Sequence, residues 1–256
     1  MIWFADQGAR LSNQMRNLIR ERLNAVAVDA KKDQEVVAKI ISDSPNYFPD
    51  PTIKFLWDLM IANKIFAKNS SSDLYGWLHN FQSEGLTTAL RIELKALLSP
   101  SVMLRKAIHW KEDVQDESKN DSIRKLIDWE VVLASDHSHF AIREFARMPE
   151  WQAALPILID EFNSLLLEAL TLKSDLGDAN YWGDRSYIDQ PSISDHSQNR
   201  NFQDWTVLVV LCRDAWLSLA ATNSNKALRY AEAWLAQPFP IFKRLSLFAA
   251  THEAVV

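Results

Sequence analysis

The apolar segment from Phe202 to Ala221, FQDWTVLVVLCRDAWLSLAA, constrains the fold more than any other part of the chain. It is too long for an ordinary strand, and charged residues interrupt it too often for a helix that crosses a bilayer. We therefore predict a helix that is buried in a protein core. Other helices have to supply the apolar surfaces that cover it.

Glycine is scarce, because the chain has only five in 256 residues, whereas glycine makes up about 7% of the residues of an average protein. No Asn-Gly or Asp-Gly pair marks a tight hairpin, so the chain is predicted to be all-α with essentially no sheet. The short linkers 223–224 and 238–240 predict that neighbouring helices fold back on each other. Since no strict repeat of roughly 33 to 47 residues is visible, we predict consecutive antiparallel helical hairpins in an α-solenoid-like arrangement.

Helical spacing of apolar residues recurs along most of the chain. It predicts helices over 8–28, 29–42, 53–67, 73–84, 87–98, 123–134, 140–148, 150–173, 202–222, 225–237 and 241–253. Pro156 is expected in the first turn of its helix, where proline costs least. The segment around Met103 and Leu104 fits either a short helix or an extended piece.

The stretch 111–121, KEDVQDESKND, is the most polar part of the sequence. Burial of its polar and charged side chains would cost much free energy, so the stretch is predicted to be a solvated loop or a domain boundary. A chain of 256 residues can form one core or two. The sequence thus predicts a single helical domain or a fragment of a larger protein, with a possible subdivision into 1–110 and 122–256.

Charge and cysteine content narrow the class of protein. A net charge of −5, without any run of Lys and Arg, argues against a nucleic-acid partner. A single cysteine, Cys212, excludes an internal disulfide and fits a reducing cytosol. Asp6 interrupts the N-terminus before any long apolar run, so no secretory signal is predicted. We expect a cytoplasmic protein with no membrane partner, and its oligomeric state is left open.

The segment from Ser174 to Arg200 has no sustained apolar period and contains Pro191, so residues 174–201 are predicted to form a long irregular loop. Structureless loops beyond roughly 15 residues are usually functional or disordered. The aromatic residues Tyr181, Trp182 and Tyr187 argue against disorder and are expected to anchor the loop. The candidate loop and interaction residues are Asp184, Arg185, Tyr187, His196, Gln198, Asn199, Arg200 and Trp205.

Motifs for metals and cofactors are weak. Asp178, Asn180 and Gly183 occupy positions one, three and six of a calcium loop. Trp182 and Asp189 break the pattern at positions five and twelve. The residues with calcium-loop spacing are therefore predicted to be turn formers and helix caps. No glycine-rich phosphate loop occurs, and neither a metal nor a cofactor is predicted.

Two histidine segments contain residue types that are used in catalysis. His137 and His139 are too close in sequence to ligate a metal from one helix face, and a surface loop or an N-terminal turn is expected. Asp195-His196-Ser197 has the residue types of a catalytic triad, but adjacency along the chain is not triad geometry. Cys212 lies among Val and Leu, where a thiol behaves as a small hydrophobe with a raised pKa.

The C-terminal part resembles a known group of proteins. The residues that carry the resemblance are PSISDHSQNR (191–200), Asp204-Trp205, RDAW (213–216) and PFPIFKRL (238–245). They are similar to the helical C-terminal region of large bacterial proteins that have a sirtuin-like domain at their N-terminus and are implicated in phage defence through NAD consumption. The resemblance covers about 175–250. Since the sirtuin-type nucleotide motif is absent, it implies a scaffold or sensor segment rather than the enzyme.

Two functions are therefore open. The leading hypothesis is a non-catalytic helical module that works through contacts with a protein partner or an upstream domain. The alternative is a stand-alone hydrolase or metal-dependent enzyme with Asp184, Asp195 and His196 as its polar groups. Convergence of those side chains on an apolar pocket would favour the enzyme. Helix capping and backbone hydrogen bonds would favour the module.

Overall fold

The computed structural model describes residues 55–56, 58–60, 62–66, 73–106, 127–180, 182–199 and 203–252. Several predictions lie outside these residues, namely the helices over 8–28 and 29–42 and the polar stretch 111–121. Of the helix predicted over 53–67, residues 55–56 and 58–60 are helical. Residues 62–66 are not, and Ile65 forms a parallel bridge with Val102.

Eight helices and two strands have defined bounds within the described residues. They are α1 (Leu74–Glu84), α2 (Thr88–Leu97), β1 (Pro100–Lys106), β2 (Ile127–Leu133), α3 (Ser138–Phe145), α4 (Pro149–Asp175), α5 (Ser186–Asp189), α6 (Thr206–Thr222), α7 (Ser224–Leu235) and α8 (Pro240–Ala250). Helix accounts for 64% of this part of the chain and strand for 9%. The prediction of a mainly helical protein is confirmed.

The all-α prediction is wrong at one place, because β1 and β2 pair in a two-stranded sheet. The helix expected over 123–134 is a strand from Ile127. Trp129, Val131 and Leu133 alternate along β2 and are buried, and the adjacent β-branched Val131 and Val132 disfavour helix. No hairpin signal marks this sheet, because residues 107–126 separate the strands instead of a two-residue turn. The segment around Met103 is extended.

The chain divides into two compact units, each built from two segments. Residues 1–66 and 102–130 form the first unit, in which Arg105 and Glu130 make an ion pair of 2.7 Å. Residues 67–101 and 131–256 form the second unit, which contains all of the helices from α1 to α8. The predicted boundary at 111–121 stays a prediction.

Helix α1 begins and ends as its sequence predicts. The Asp73 carboxylate accepts a hydrogen bond from Gly76 N–H at 2.6 Å, which caps the N-terminus. Gly85 ends the helix at φ 72°, a left-handed conformation that glycine adopts without strain. The buried Trp77 indole donates to Leu90 O in α2 at 2.8 Å, so the two helices are joined by a polar bond inside the core.

A cluster of aromatic side chains connects α1, α3 and α4. Trp77 stacks on Phe81 with ring centroids 5.1 Å apart and meets Phe145 at 5.6 Å. Trp151 packs edge-on against Trp77 and Phe145 at 6.0 and 5.2 Å. These separations are those of favourable aromatic pairs. The cluster therefore fixes α3 against the first turns of α4.

Helix α6 is buried, as predicted. Among the described elements its most extensive contact is with α4, and it also packs against α7, which contacts α8 in turn. Apolar side chains occupy nearly the whole circumference, and the Trp216 indole donates to Ala227 O in α7 at 2.9 Å. Within the described ranges, no helix is both long and apolar enough to cross a membrane.

The expected place of Pro156 is wrong. Helix α4 begins at Pro149, so Pro156 lies inside the helix rather than in its first turn. Pro149 is itself suited to the first helical position, and burial of Trp151 stabilises the added turns. Because Pro156 has no N–H, it cannot bond the carbonyl of Gln152 four residues earlier. The Ser218 hydroxyl of α6 donates to Gln152 O at 2.9 Å and replaces the missing helical hydrogen bond.

This arrangement predicts a coupling between residues 156 and 218. Ser218→Ala should lower the free energy of unfolding by about 1 kcal/mol, because Gln152 O loses its donor. With Pro156→Ala, the new N–H can satisfy the carbonyl, and the cost of Ser218→Ala should fall below about 0.5 kcal/mol. Urea unfolding of the four chains of this double-mutant cycle measures the difference.

Ser164 provides the control, since it is an exposed serine on the same helix as Pro156. Ser164→Ala should change stability by the same amount in the parent chain and in the Pro156→Ala chain. Equal costs of Ser218→Ala in the two backgrounds would contradict the compensating role of its hydroxyl.

Candidate functional site

The predicted loop is present, with shifted bounds and a short helix inside it. Helix α4 extends through Asp175, and the described residues from there to Trp205 are irregular apart from the single turn of α5. Near the start of the loop, Asn180 Oδ1 accepts from the backbone N–H groups of Trp182 and Gly183 at 2.8 and 3.0 Å. The residues with calcium-loop spacing therefore form a turn. Among the described residues, no group of three or more His, Cys, Asp or Glu is placed to hold a metal ion.

Asp184 connects the loop to α8. It is buried, and its Oδ1 accepts from Ser186 N–H at 2.9 Å. Its Oδ2 accepts from Ile241 N–H at 2.8 Å. Ile241 is the second residue of α8, where backbone N–H groups have no partner within the helix. A carboxylate at this end also interacts favourably with the helix dipole, so Asp184 acts as a cap supplied from a distant segment.

Arg244 of α8 holds the next part of the loop. Its guanidinium donates to the Ser186 hydroxyl at 3.1 Å and to the carbonyl oxygens of Gln190 and Pro191 at 2.7 Å each. Burial lowers the pKa of Arg244, and the nearby Asp184 carboxylate opposes that shift. Sequence reasoning missed this role, because spacing predicts the helix but not the segment that its arginine reaches.

Lys173 joins α4, the loop and the start of α6. Its ammonium lies 3.4 Å from Asp189 Oδ2 and 4.4 Å from the ring centroid of Trp205. Burial lowers the pKa of Lys173, whereas Asp189 opposes the shift. Trp205, a predicted candidate residue, is fully buried. These contacts hold both ends of the loop in place.

Asn199 closes the last part of the loop. Its amide donates to Ser192 O and Ser194 O at 3.0 Å each, and its Oδ1 accepts from Ser192 N–H at 3.0 Å. His196 Nδ1 accepts from Gln198 N–H at 3.2 Å, and the Gln198 side chain is exposed. The amide of Asn199 is thus engaged with the backbone on both of its polar atoms.

A cavity of about 640 Å³ opens in the second unit between α3, residues 190–199 and α6. Ile142 and Val207 form buried apolar wall, while the polar lining includes Gln190, Asp195, His196, Ser197 and Asn199. The volume lies within the range of small-molecule sites. Of the predicted candidates the cavity brings together His196 and Asn199.

Within the described ranges, three arginines line this cavity, and they differ in their partners. Arg213 donates to Asp214 Oδ1 at 2.7 Å and to Ile193 O at 3.0 Å. The Asp214 carboxylate therefore compensates the charge of Arg213, and the two hydrogen bonds fix the position of its side chain. The side chains of Arg143 and Arg147 form no hydrogen bond or ion pair within the described ranges. These two residues were missed in the sequence, although their spacing of four residues indicates one helical face.

His139 lies in the first turn of α3, as predicted for this histidine segment, and lines the cavity. Its Nε2 is 3.1 Å from Gln203 O and 3.0 Å from the Thr206 hydroxyl, which itself donates to Gln203 O at 2.7 Å. Since both neighbours accept, the proton belongs on Nε2. Burial lowers the pKa of His139, so the ring is neutral at pH 7 and Nδ1 is an acceptor.

The remaining candidates lie on the loop surface or outside the described residues. Arg185 is exposed and has a left-handed backbone at φ 59°. Trp182 and Tyr187 are 88% and 68% exposed, so the expectation that they anchor the loop is wrong for both. The polar bonds of Asp184 and Arg244 hold the loop instead. Tyr181 and Arg200 lie outside the described residues.

The groups of the hypothetical hydrolase occupy two different places. Asp195 and His196 line the cavity, whereas both carboxylate oxygens of Asp184 bond backbone N–H groups, one of them at the N-terminus of α8. Burial raises the pKa of Cys212, which lies inside α6. A thiol with a raised pKa is a poor nucleophile.

No protein-family model, no curated protein and no solved structure matches the chain. The resemblance to the helical regions of bacterial defence proteins therefore stays a prediction.

Asn199→Ala should lower the free energy of unfolding by roughly 1 to 3 kcal/mol, because three hydrogen bonds to backbone groups are lost. Its neighbour Gln198, which has an exposed side chain, is the matched control, and Gln198→Ala should stay within about 0.5 kcal/mol of the parent chain. Thermal melts followed by circular dichroism make the comparison. An unchanged melting temperature for Asn199→Ala would show that its amide is not structural.

Proposed function

We propose that this chain is a non-catalytic helical scaffold or sensor module that acts through contacts with a protein partner. The proposal rests on the hydrogen bonds that the polar side chains of the loop form with the protein itself. Asp184 and Asn199 bond backbone groups and hold the loop, which is the arrangement that favours a module over an enzyme. The proposal includes an α-solenoid-like order of hairpins and a cytoplasmic location.

The loop also presents a surface that suits protein contacts. Trp182, Tyr187 and Ile188 are 88%, 68% and 52% exposed, although they are large and apolar or aromatic. Tyrosine and tryptophan are enriched among the residues that dominate binding energy at protein interfaces. Because Asp184 and Arg244 hold α5 in place, fewer degrees of freedom are lost on binding. We therefore assign Tyr187 and Ile188 to the contact surface.

A link to phage defence is part of the same proposal. It rests on the resemblance of residues 191–200 and 238–245 to those proteins. In the structure, Arg244 of the second segment donates to Pro191 O of the first. If the chain corresponds to the scaffold or sensor region of such proteins, it supplies no NAD-cleaving activity of its own.

The purified chain should accordingly release no nicotinamide from NAD above a buffer blank. The physical reason is that its sequence contains no glycine-rich loop to cradle the phosphates. Chromatographic quantification of nicotinamide over several hours measures this, with an active NAD-cleaving enzyme as the positive control. Release that scales with the amount of chain would overturn the non-catalytic proposal.

A photo-cross-linking side chain at position 187 should give a discrete protein adduct in a lysate of the native host. Ile188→Asp should abolish that adduct without changing the melting temperature, because a charge at an apolar contact is costly to desolvate. Gel mobility and mass spectrometry identify the product.

Leu247 is the control position, since it is 64% exposed and lies on α8 instead of the loop. The same probe at position 247 should not give this adduct. Identical adducts at the two positions, or none at position 187, would count against the loop as the contact surface.

A further inference from the structure

The cavity between α3, residues 190–199 and α6 is not used by the proposed protein contacts. Its lining comes from three separate segments of the second unit, and its polar groups are of two kinds. Arginine side chains supply hydrogen-bond donors that carry positive charge, and the loop supplies acceptors. Tyr187 and Ile188, the residues of the proposed contact surface, are not part of the lining.

The charges of the lining favour an anion. Among the described residues of the lining, Arg143, Arg147 and Arg213 contribute three guanidinium groups, against the two carboxylates of Asp195 and Asp214. This local excess of positive charge occurs in a chain with a net charge of −5. Asp214 already neutralises Arg213 through their 2.7 Å hydrogen bond. Two guanidinium groups remain without a partner in the part of the chain that the structure describes.

Those two arginines lie on one side of the cavity. Arg143 is in α3, and Arg147 lies in the turn that follows, two residues beyond the last helical residue, Phe145. Both side chains line the cavity and come from one short segment, so they can reach the same ligand. A phosphate monoester carries between one and two negative charges near pH 7 and offers three acceptor oxygens. It therefore matches a pair of guanidinium groups, which bind phosphate in bidentate fashion.

The other polar groups of the lining include hydrogen-bond acceptors, which a ligand with hydrogen-bond donors would satisfy. Gln190 Oε1 is buried and has no hydrogen-bond partner among the described residues, while the amide nitrogen of the same side chain donates to Ser192 O. The Asp195 carboxylate has no partner within the described ranges. His139 Nδ1 is an acceptor, because its proton lies on Nε2. Hydroxyl groups of a sugar would supply donors to such acceptors.

We propose that this cavity binds a small sugar phosphate, with the phosphate at Arg143 and Arg147 and the sugar hydroxyls at Gln190 and Asp195. The cavity volume of about 640 Å³ accommodates a ligand of this size beside the apolar wall of Ile142 and Val207. Arg213 is a positioning residue, since its bonds to Asp214 and Ile193 O hold the loop against α6.

Isothermal titration calorimetry on the whole 256-residue chain tests this with four probes. Ribose 5-phosphate should bind at one site per chain, inorganic phosphate should bind at least about tenfold more weakly, and ribose should show no saturable binding. Gluconate, a hydroxylated carboxylate, should also bind more weakly than the sugar phosphate. Rising salt should weaken the binding of ribose 5-phosphate, because the contacts are ionic.

Three charge-removing variants locate the site. Arg143→Gln and Arg147→Gln should each lower the affinity for ribose 5-phosphate about tenfold. Both arginines are exposed, so the melting temperatures without ligand should match that of the parent chain. Arg229→Gln removes an exposed arginine of α7 that does not line the cavity, and it should change affinity less than about twofold.

Several outcomes would overturn the proposal. These are no saturable binding of ribose 5-phosphate, equal affinity for inorganic phosphate, tighter binding of gluconate, or equal effects of the cavity and Arg229 variants. None of these results bears on the contact surface at Tyr187, and failure of the cross-linking experiment leaves the cavity intact.

Discussion

The packing of α6 against α4 is the contact on which the rest of the second unit depends. Helix α6 is apolar around most of its circumference, and α4 covers one side with Leu158, Phe162, Leu165 and Leu166 among its buried residues. Burial of side chains of this kind contributes about 1.5 to 3 kcal/mol each. The two helices lie antiparallel, since Lys173 near the end of α4 contacts Trp205 before α6, and Gln152 near the start of α4 accepts from Ser218 near the end of α6. A short turn would connect ends this close, so the packing of the two helices does not require the long loop.

Polar bonds then determine where the loop lies. Asp184 caps α8, Arg244 of α8 reaches back to three groups of the loop, and Lys173 joins Asp189 with the Trp205 ring. Buried polar groups cost free energy unless they are paired, so these bonds are specific as well as stabilising. A loop held in this way exposes large side chains such as Tyr187 without losing its conformation. That combination is useful for recognition and is unusual for a passive connector.

The cavity follows from the same geometry. Residues 190–199 are held on one side by Arg244 and on the other by Arg213, and Asn199 closes the segment on itself. The segment thereby forms one wall of the cavity, and α3 with the turn after it forms another. Arg143 and Arg147 in that second wall have no carboxylate within ion-pairing distance among the described residues. The proposed contact surface and the cavity are built from different parts of one loop, so a partner at Tyr187 and a small ligand in the cavity would not compete for the same side chains.

The sequence by itself determined most of the helices and, where the caps are local, their ends. Asp73, Gly85 and Thr87 act at short range through capping and a positive φ, so the bounds of α1 and α2 could be predicted closely. It also identified α6 as buried and the stretch after α4 as a loop, although α4 extends through Asp175 and the loop contains the short helix α5. It misplaced Pro156, since compensation comes from Ser218 in another helix, and it missed β2, whose pairing with β1 is not a local property.

Only the tertiary structure decided what the polar residues do. Asp184, Asp195 and His196 lie within a short stretch of sequence, yet the first caps α8 and the other two line a cavity. The four-residue spacing of Arg143 and Arg147 is visible in the sequence. Nothing local shows that they share a cavity with Gln190, whose side-chain oxygen has no hydrogen-bond partner among the described residues and comes from a segment more than 40 residues away. Local order depends on neighbours along the chain, which the sequence contains directly. A binding site depends on distant segments that meet only when the core has formed.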